Sequence, residues 1–136
     1  MHHLIYFDTS AALKLFKEEA ESQALSAWLA QQGSAVVVTS DLTRTELRRA
    51  LHAAGAAAEV WQYSEEWLAD AAVLRLTPAL FDQAGRLAPN SSLRSLDAVH
   101  VSAALSIAPS VIAFAAYDKR LIDAARAVGL MTVSPA

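Results

Sequence analysis

Two aspartates follow apolar, strand-like runs, where a carboxylate is costly to bury. Asp8 comes directly after LIYF (4–7), and Asp118 comes shortly after VIAFAA (111–116). In parallel sheets, ligands bind beyond the carboxyl ends of the strands, so both side chains are suited to a binding or catalytic site. Aspartate is also a common helix N-cap. Because a helical pattern follows each aspartate, capping explains either residue equally well when it is considered alone.

A glutamate lies on the packed side of a predicted helix. On a helical wheel of DLTRTELRRALHAAG (41–55), Glu46 falls inside the apolar arc, between Leu42 and Ala50. A carboxylate on a packed face is unfavourable unless it has a partner. Glu46 therefore indicates a functional role, and the alternative is a helix edge with a solvated carboxylate or an ion pair to Arg49.

Asp97 opens a second pattern of this kind, LDAVHVSAALSI (96–107), whose sides are almost all apolar. Such a helix is expected to be buried, which makes the carboxylate at its start costly. Capping of this helix is the alternative to a functional role for Asp97. His100 lies one turn further on, and we expect it to be packed or hydrogen-bonded without a part in catalysis.

Considered as a set, these four acids indicate a cation site at one edge of a sheet. Carboxylates about 4 Å apart repel by roughly 4 kcal/mol per pair at an effective dielectric constant near 20. A cluster of that kind persists by protonation or by binding a cation. Oxygen ligands without cysteine or clustered histidine favour Mg²⁺ or Mn²⁺ over zinc. The sequence therefore predicts a metal site that includes Asp8.

Apolar runs that suit strands alternate with helical patterns along the chain. The predicted strands are 4–7, 35–39, 72–76, 111–116 and 131–133. The predicted helices are 10–16, 22–32, 41–54, 57–70, 78–88, 96–107 and 119–128. Because each crossover helix must pack against the sheet, this alternation favours a parallel sheet covered on both faces. We therefore predict an α/β fold, with one clear loop over 88–95.

Length and composition exclude several classes of protein. The 136 residues suit a single domain, 1–136, and 54% of them are apolar. The absence of cysteine excludes thiolate chemistry and fits a cytoplasmic location. The most apolar window, 96–117, contains Asp97, His100 and Pro109, so we expect no membrane span. The net charge of −3 gives no general attraction to nucleic acid.

Four motifs carry a resemblance to a known family. They are YFDTSAALKLF (6–16), TSDLTRTEL (39–47), LRSLDAVHVSAAL (93–105) and AYDKRLIDAARAVGL (116–130). In this order and spacing, they make the chain resemble the PIN-domain ribonucleases and, among them, the VapC-type toxins of type II toxin–antitoxin pairs. The resemblance implies a three-layer α/β/α sandwich around a central, mainly parallel sheet. It also implies Mg²⁺- or Mn²⁺-dependent cleavage of RNA and inhibition by a cognate VapB-like antitoxin.

The resemblance also assigns roles to individual positions. The catalytic acids are expected to be Asp8, Glu46, Asp97 and Asp118. Of these, Asp8 and Asp97 are the expected metal ligands, and Glu46 or Asp118 would orient or deprotonate the attacking water. The polar residues expected to support the acids are Thr9, Ser10 and Ser40. The candidates for binding RNA phosphates are Lys14, Arg44, Arg48, Arg94 and Lys119. We also expect a homodimer, because an apolar, alanine-rich chain leaves surface to cover.

Other classes of function are weighed on the same residues. A phosphorylatable receiver domain would need a pair of acids after its first strand, whereas YFDTS has one, and a phosphoacceptor after a middle strand, where VLRLTPAL has none. A phosphatase with an Asp-x-Asp nucleophile is disfavoured because position 10 is serine. A PIN-like module that binds RNA or protein without cutting remains an alternative, and the presence of all four acids argues against it.

Overall fold

The structure, a computed structural model, describes residues 3–89 and 92–136. Its strands are β1 (Leu4–Phe7), β2 (Val36–Ser40), β3 (Ala72–Leu74), β4 (Val111–Ala115) and β5 (Thr132–Val133). Its helices are α1 (Thr9–Leu13), α2 (Ser22–Ala30), α3 (Asp41–Ala53), α4 (Ala58–Asp70), α5 (Pro78–Arg86), α6 (Ser95–Ser106) and α7 (Lys119–Ala127). Every predicted strand and helix is present, with bounds that differ by up to three residues. Residues 90 and 91 of the predicted loop lie outside the described residues.

The strands form one parallel sheet in the order β3-β2-β1-β4-β5. The chain builds outward from β1 through β2 to β3 on one side, and it then crosses to β4 and β5 on the other side. The carboxyl ends of β1 and β4 therefore flank the point where the strand order reverses, which is where ligands bind in open α/β sheets. Asp8 follows β1 and Asp118 follows β4, so the topology brings the two aspartates to this switch point.

Helices cover both faces of the sheet. Successive side chains of a strand point to opposite faces, so a strand made only of apolar residues has two faces to bury. In β1, Tyr6 packs with Phe114 and with buried residues of α6 and α7. Its neighbours Ile5 and Phe7 pack on the other face against α1 and α2. This arrangement confirms the predicted three-layer α/β/α sandwich with a central parallel sheet.

Local sequence signals account for several helix boundaries. Thr77 is the N-cap of α5, where its hydroxyl accepts a hydrogen bond from the Leu80 N–H, and Pro78 occupies the first helical position. Past the ends of α3 and α7, Gly55 and Gly129 have φ angles of +67° and +92°. Glycine favours this left-handed conformation because it lacks a Cβ atom, which explains why both helices end there.

The apolar window 96–117 forms most of α6, a turn and β4, as predicted. None of the helices in the described ranges combines the length and the apolar character that crossing a bilayer requires. The apolar side chains of this window instead pack within the sandwich, where Val101, Ala104 and Phe114 are fully buried.

Candidate active site

Asp8 is a buried carboxylate at the end of β1, with only 4% of the residue exposed. Its Oδ1 accepts a hydrogen bond from the Ala11 N–H at 3.0 Å, so Asp8 is the N-cap of α1. The Ser10 hydroxyl donates to the same carboxylate, with its oxygen 2.7 and 2.9 Å from the two carboxylate oxygens. Ser10 is held in turn by the Tyr117 N–H at 3.1 Å. Asp8 thus caps α1, but capping alone does not explain why a charged carboxylate is buried here.

The charge on Asp8 is poorly compensated. Burial raises the pKa of Asp8 from 3.8 to about 6, although His100, the Ser10 hydroxyl and the Ala11 N–H all act to lower it. The negative charge on Asp97 raises the pKa of Asp8 further, so the two carboxylates repel one another electrostatically. A carboxylate in this state gains by binding a cation.

The raised pKa predicts that ionised Asp8 destabilises the metal-free protein. The folded state holds the Asp8 proton more tightly than the unfolded chain does, so stability falls as pH rises from about 4 to about 6. A rise from 3.8 to about 6 corresponds to roughly 3 kcal/mol at neutral pH. We expect Asp8→Asn, which can still cap α1, to have a higher free energy of unfolding than the wild type in EDTA by up to that amount.

Urea unfolding of both proteins in EDTA, at a series of pH values, measures this difference. The advantage of Asp8→Asn should be full above about pH 7 and should disappear below about pH 3, because the wild-type carboxyl is then protonated in both the folded and the unfolded state. Asp70→Asn, at an exposed position at the end of α4, is the matched control and should show no such trend. If the free energies of unfolding of the wild type and of Asp8→Asn change in parallel with pH, the pKa of Asp8 is not raised in the folded protein.

Glu46 lies at the edge of the acidic site on α3, with 28% of its side chain exposed. Its Oε1 accepts two hydrogen bonds, one from Thr9 Oγ1 at 2.5 Å and one from His100 Nε2 at 2.8 Å. Burial alone would raise the pKa of Glu46, but these two hydrogen bonds and the positive charge on Arg94 outweigh it and lower the pKa. The ion pair to Arg49, considered from the sequence, is wrong, because the partner of Glu46 is His100.

A buried polar network extends from Glu46 into the core. His100 Nδ1 lies 2.8 Å from the Tyr6 hydroxyl, and both residues are almost completely buried. Thr43 Oγ1 lies 3.2 Å from Thr9 Oγ1 and 2.8 Å from Thr39 Oγ1. The expectation that His100 is packed and hydrogen-bonded is correct, but no pattern in the sequence indicates that its partner is Glu46. Tyr6, Thr39 and Thr43 were also missed as neighbours of the site.

Asp97 and Asp118 are joined by Arg94. The guanidinium of Arg94 lies 3.2 Å from Asp97 Oδ2 and 3.4 Å from Asp118 Oδ2. Asp97 is the third residue of α6, whose N-cap position is Arg94 without a side-chain capping bond, so the capping interpretation of Asp97 is wrong. Asp118 does cap α7, because its Oδ1 accepts hydrogen bonds from the N–H groups of Arg120 and Leu121 at 2.9 and 3.2 Å.

Glu46, Asp97 and Asp118, with Arg94, form the rim of the candidate site, and Asp8 is more deeply buried. Glu46, Arg94 and Asp97 line a cavity of about 280 Å³ beside Ser95 and Leu96. Within residues 3–89 and 92–136, no three acidic or histidine side chains lie close enough to enclose a metal ion. The expected crowding of four carboxylates at about 4 Å is therefore wrong for this arrangement. The acids have different partners: Ser10 binds Asp8, Thr9 and His100 bind Glu46, and Arg94 binds Asp97 and Asp118.

The predicted supporting residues fall into two groups. Thr9 contacts Glu46, and Ser10 contacts Asp8. Ser40, at the end of β2, is buried, and among the described residues its Oγ makes no hydrogen bond of good geometry. The hydroxyl nevertheless lies beside that of Tyr6, where it opposes the strong increase in the pKa of Tyr6 that burial causes.

The candidate RNA-binding cations are each paired with a carboxylate. Lys14, Arg44, Arg48 and Lys119 pair with Glu19 and Glu21, Asp41, Glu65 and Asp123, respectively. Lys14 is mostly buried, and its ammonium also lies 4.5 Å from the centre of the Tyr117 ring. Arg94 is the cation of this set that the structure places against acids of the candidate site, Asp97 and Asp118, with 65% of its side chain exposed.

Curated relatives match almost the entire chain. The family model of the PIN domain covers residues 5–127. Ribonuclease VapC35 of Mycobacterium tuberculosis is 39% identical over 140 residues, which span 97% of each chain. Ribonuclease VapC47 of the same organism is 39% identical over 134 residues, again 97% of each chain. Ribonuclease VapC46 is 36% identical over 131 residues, which cover 96% of this chain and 97% of the relative.

Solved structures share the fold at lower identity. VapC20 of Mycobacterium tuberculosis, a toxin described as cleaving the sarcin–ricin loop, has a TM-score of 0.76 at 20% identity and covers 96% of this chain and 99% of its own. VapBC2 from Rickettsia felis, bound to a DNA fragment from its promoter, has a TM-score of 0.70 at 12% identity, with 98% and 99% covered. The family match and the relatives above 35% identity go further than the fold. The chain belongs to the PIN-domain family and, within it, to the VapC-type ribonucleases.

Proposed function

We propose that this chain, as a single domain over 1–136 that forms a homodimer, is a metal-dependent endoribonuclease and the toxin of a type II toxin–antitoxin pair. The observation that carries the proposal is the buried, poorly compensated carboxylate of Asp8 at the switch point of a VapC-type sheet. The relatives that are named ribonucleases support RNA as the substrate, and the VapBC2 complex supports a VapB-like antitoxin as the inhibitor.

The residues at the site fit Mg²⁺ or Mn²⁺. They offer carboxylate oxygens, the ligands that these hard cations prefer. Asp8 is bonded by a hydroxyl and an amide N–H instead of a cationic side chain, and Asp97 is close enough to raise its pKa, so these two would hold the ion. Arg94 between Asp97 and Asp118 indicates that this rim attracts positive charge. When bound, the cation would polarise the scissile phosphate and favour ionisation of the attacking water.

Glu46 is suited to orient that water and to accept its proton. Both of its hydrogen bonds end on Oε1, and within the described residues no hydrogen bond reaches Oε2. The lowered pKa makes Glu46 a weaker base but keeps its carboxylate ionised at neutral pH, so Oε2 can accept a hydrogen bond from the attacking water and then its proton. Asp118 caps α7 and accepts a hydrogen bond from Arg94, so its role is to hold Arg94 and the start of α7 in position at the site.

Arg94 is the cation best suited to hold an RNA phosphate at the cleavage site. Its guanidinium is exposed at the mouth of the cavity lined by Glu46 and Asp97. A guanidinium can bind phosphate oxygens through two parallel hydrogen bonds. Lys14, Arg44, Arg48 and Lys119 stay predictions, and Lys14 is the weakest of them because its ammonium is held by two carboxylates.

Expression of the chain in a bacterial host without the antitoxin tests the proposed function. We expect the wild type to stop growth, because an uninhibited ribonuclease degrades RNA that the host needs. Asp97→Asn at the same expression level should be harmless. Co-expression of the cognate antitoxin should restore growth, and an Arg or Lys that it inserts among the acids would provide the inhibition.

Two outcomes would count against this function. Growth that continues when soluble, folded wild-type protein accumulates would exclude the toxin. Growth arrest by Asp97→Asn as strong as that by the wild type would favour a PIN-like module that binds RNA or protein without cutting.

A further inference from the structure

We propose that His100, oriented by Tyr6, is a positioning residue that holds the Glu46 carboxylate in the orientation required for catalysis. The inference rests on the proposed ribonuclease function and adds to it two residues from outside the acidic set. It concerns a chain of three side chains that come from β1, α3 and α6. These side chains meet only in the folded protein, since 94 residues separate Tyr6 from His100 and 54 separate His100 from Glu46.

The three side chains form a continuous line of hydrogen bonds. The Tyr6 hydroxyl lies 2.8 Å from His100 Nδ1, and His100 Nε2 lies 2.8 Å from Glu46 Oε1. The Tyr6 ring is fixed by parallel stacking on Phe114, with ring centres 5.3 Å apart and planes 6° apart. A buried and stacked tyrosine has little freedom, so the imidazole that it contacts is also fixed.

The network assigns the tautomer of His100. A tyrosine hydroxyl has an ordinary pKa of about 10, so that of Tyr6, 2.8 Å from His100 Nδ1, has a proton to donate at neutral pH. If Nδ1 accepts this hydrogen bond, the single N–H proton of the neutral ring is on Nε2. The Nε2–H then points at the Glu46 carboxylate, which is the arrangement that attracts. The opposite tautomer would place a lone pair against the carboxylate, which repels it.

The second donor to Glu46 is also fixed by a hydroxyl chain. Thr39 donates to the Phe7 carbonyl oxygen at 2.7 Å, which leaves Thr43 as the donor to Thr39. Thr43 therefore does not donate a hydrogen bond to Thr9. The Thr9 hydroxyl donates its own hydrogen bond to Glu46 Oε1. Both His100 and Thr9 thus bind the same carboxylate oxygen, and Oε2, which has no hydrogen bond among the described residues, is left to bind water.

Tyr6→Phe isolates this effect because it keeps the ring that stacks on Phe114 and removes only the hydroxyl. We expect kcat for RNA cleavage to fall about tenfold to a hundredfold, as for other residues that orient a ligand or a base, with KM within about twofold of the wild-type value. Tyr63→Phe is the control, since it removes a tyrosine hydroxyl from α4, where Tyr63 is 61% exposed. Its kinetic constants should equal those of the wild type.

Nitrogen-15 NMR of the His100 ring gives a readout that does not depend on activity. In the wild type, we expect Nε2 to carry the proton and Nδ1 to be free of it. In Tyr6→Phe, the proton should stay on Nε2, which still faces Glu46, and the Nδ1 signal should shift because that atom loses the hydrogen bond from Tyr6. Protonation of Nδ1 in the neutral wild-type ring would overturn the inference.

Two substitutions of His100 separate donation from packing. His100→Gln can still donate an N–H towards Glu46, whereas His100→Leu cannot, so cleavage should decrease from wild type through Gln to Leu. If His100→Leu does not fold, Tyr6→Phe decides the question. An active wild type with unchanged kcat in Tyr6→Phe refutes the positioning role alone. A folded wild type that cuts no RNA under any metal condition refutes the proposed function, and the positioning role with it.

Discussion

Asp8→Asn is expected to lose RNA cleavage by roughly a thousandfold or more while folding at least as stably as the wild type in EDTA. Asparagine keeps the size and the capping oxygen of Asp8 but removes the charge that would hold the cation. Loss of that ligand removes several kcal/mol of transition-state stabilisation, and each 1.4 kcal/mol or so is about tenfold in rate. Initial rates on a labelled RNA in Mn²⁺, with urea unfolding of the same samples, measure both effects.

Loss of cleavage together with retained stability distinguishes a metal ligand from a residue that only caps a helix. A residue that acts only as a helix cap would lose little activity as asparagine, because asparagine caps as well as aspartate does. Asp118→Asn provides the comparison within the site, because Asp118 caps α7 and is more exposed than Asp8. We expect it to keep residual cleavage. Equal activity in Asp8→Asn and the wild type would remove Asp8 from the metal site.

The fold was accessible from the sequence because its signals are local. The run LIYF predicts β1 by itself, and the alternation of such runs with helical patterns requires a parallel sheet. Asp8 and Asp118 could be placed at the sheet edge because the end of a strand is visible in the sequence. Glu46 could be placed on the packed side of α3 by its helical phase, which the structure bears out as a half-buried position.

The partners of the acids were not accessible in the same way. The bond between Glu46 and His100 depends on how α3 and α6 are placed across the sheet, and no local pattern encodes that distance. Arg94 lies only three residues before Asp97 in sequence, yet its second contact, to Asp118, depends on the end of β4. The expectation of crowded acids failed for this reason, since helical phase and strand ends give positions but not the donors that separate them.

Removal of metal should have an effect as large as Asp8→Asn. In EDTA the rim has carboxylates, hydroxyls and Arg94, but nothing that can activate water at neutral pH as a divalent cation does. We therefore expect wild-type cleavage to fall to background in EDTA and to return on addition of Mn²⁺ or Mg²⁺. Because the cation binds the folded site and not the unfolded chain, Mn²⁺ should also raise the melting temperature of the wild type.

The most direct measurement is a Mn²⁺ titration of the metal-stripped wild type and of Asp8→Asn, with RNA cleavage and melting temperature followed in the same samples. Asp70→Asn serves as the control for removing a surface charge. We predict that cleavage and melting temperature of the wild type and of Asp70→Asn rise together with Mn²⁺, and that Asp8→Asn shows neither increase. Cleavage by the wild type that is undiminished in EDTA, or an equal response of Asp8→Asn to Mn²⁺, would contradict a metal-dependent ribonuclease site built on Asp8.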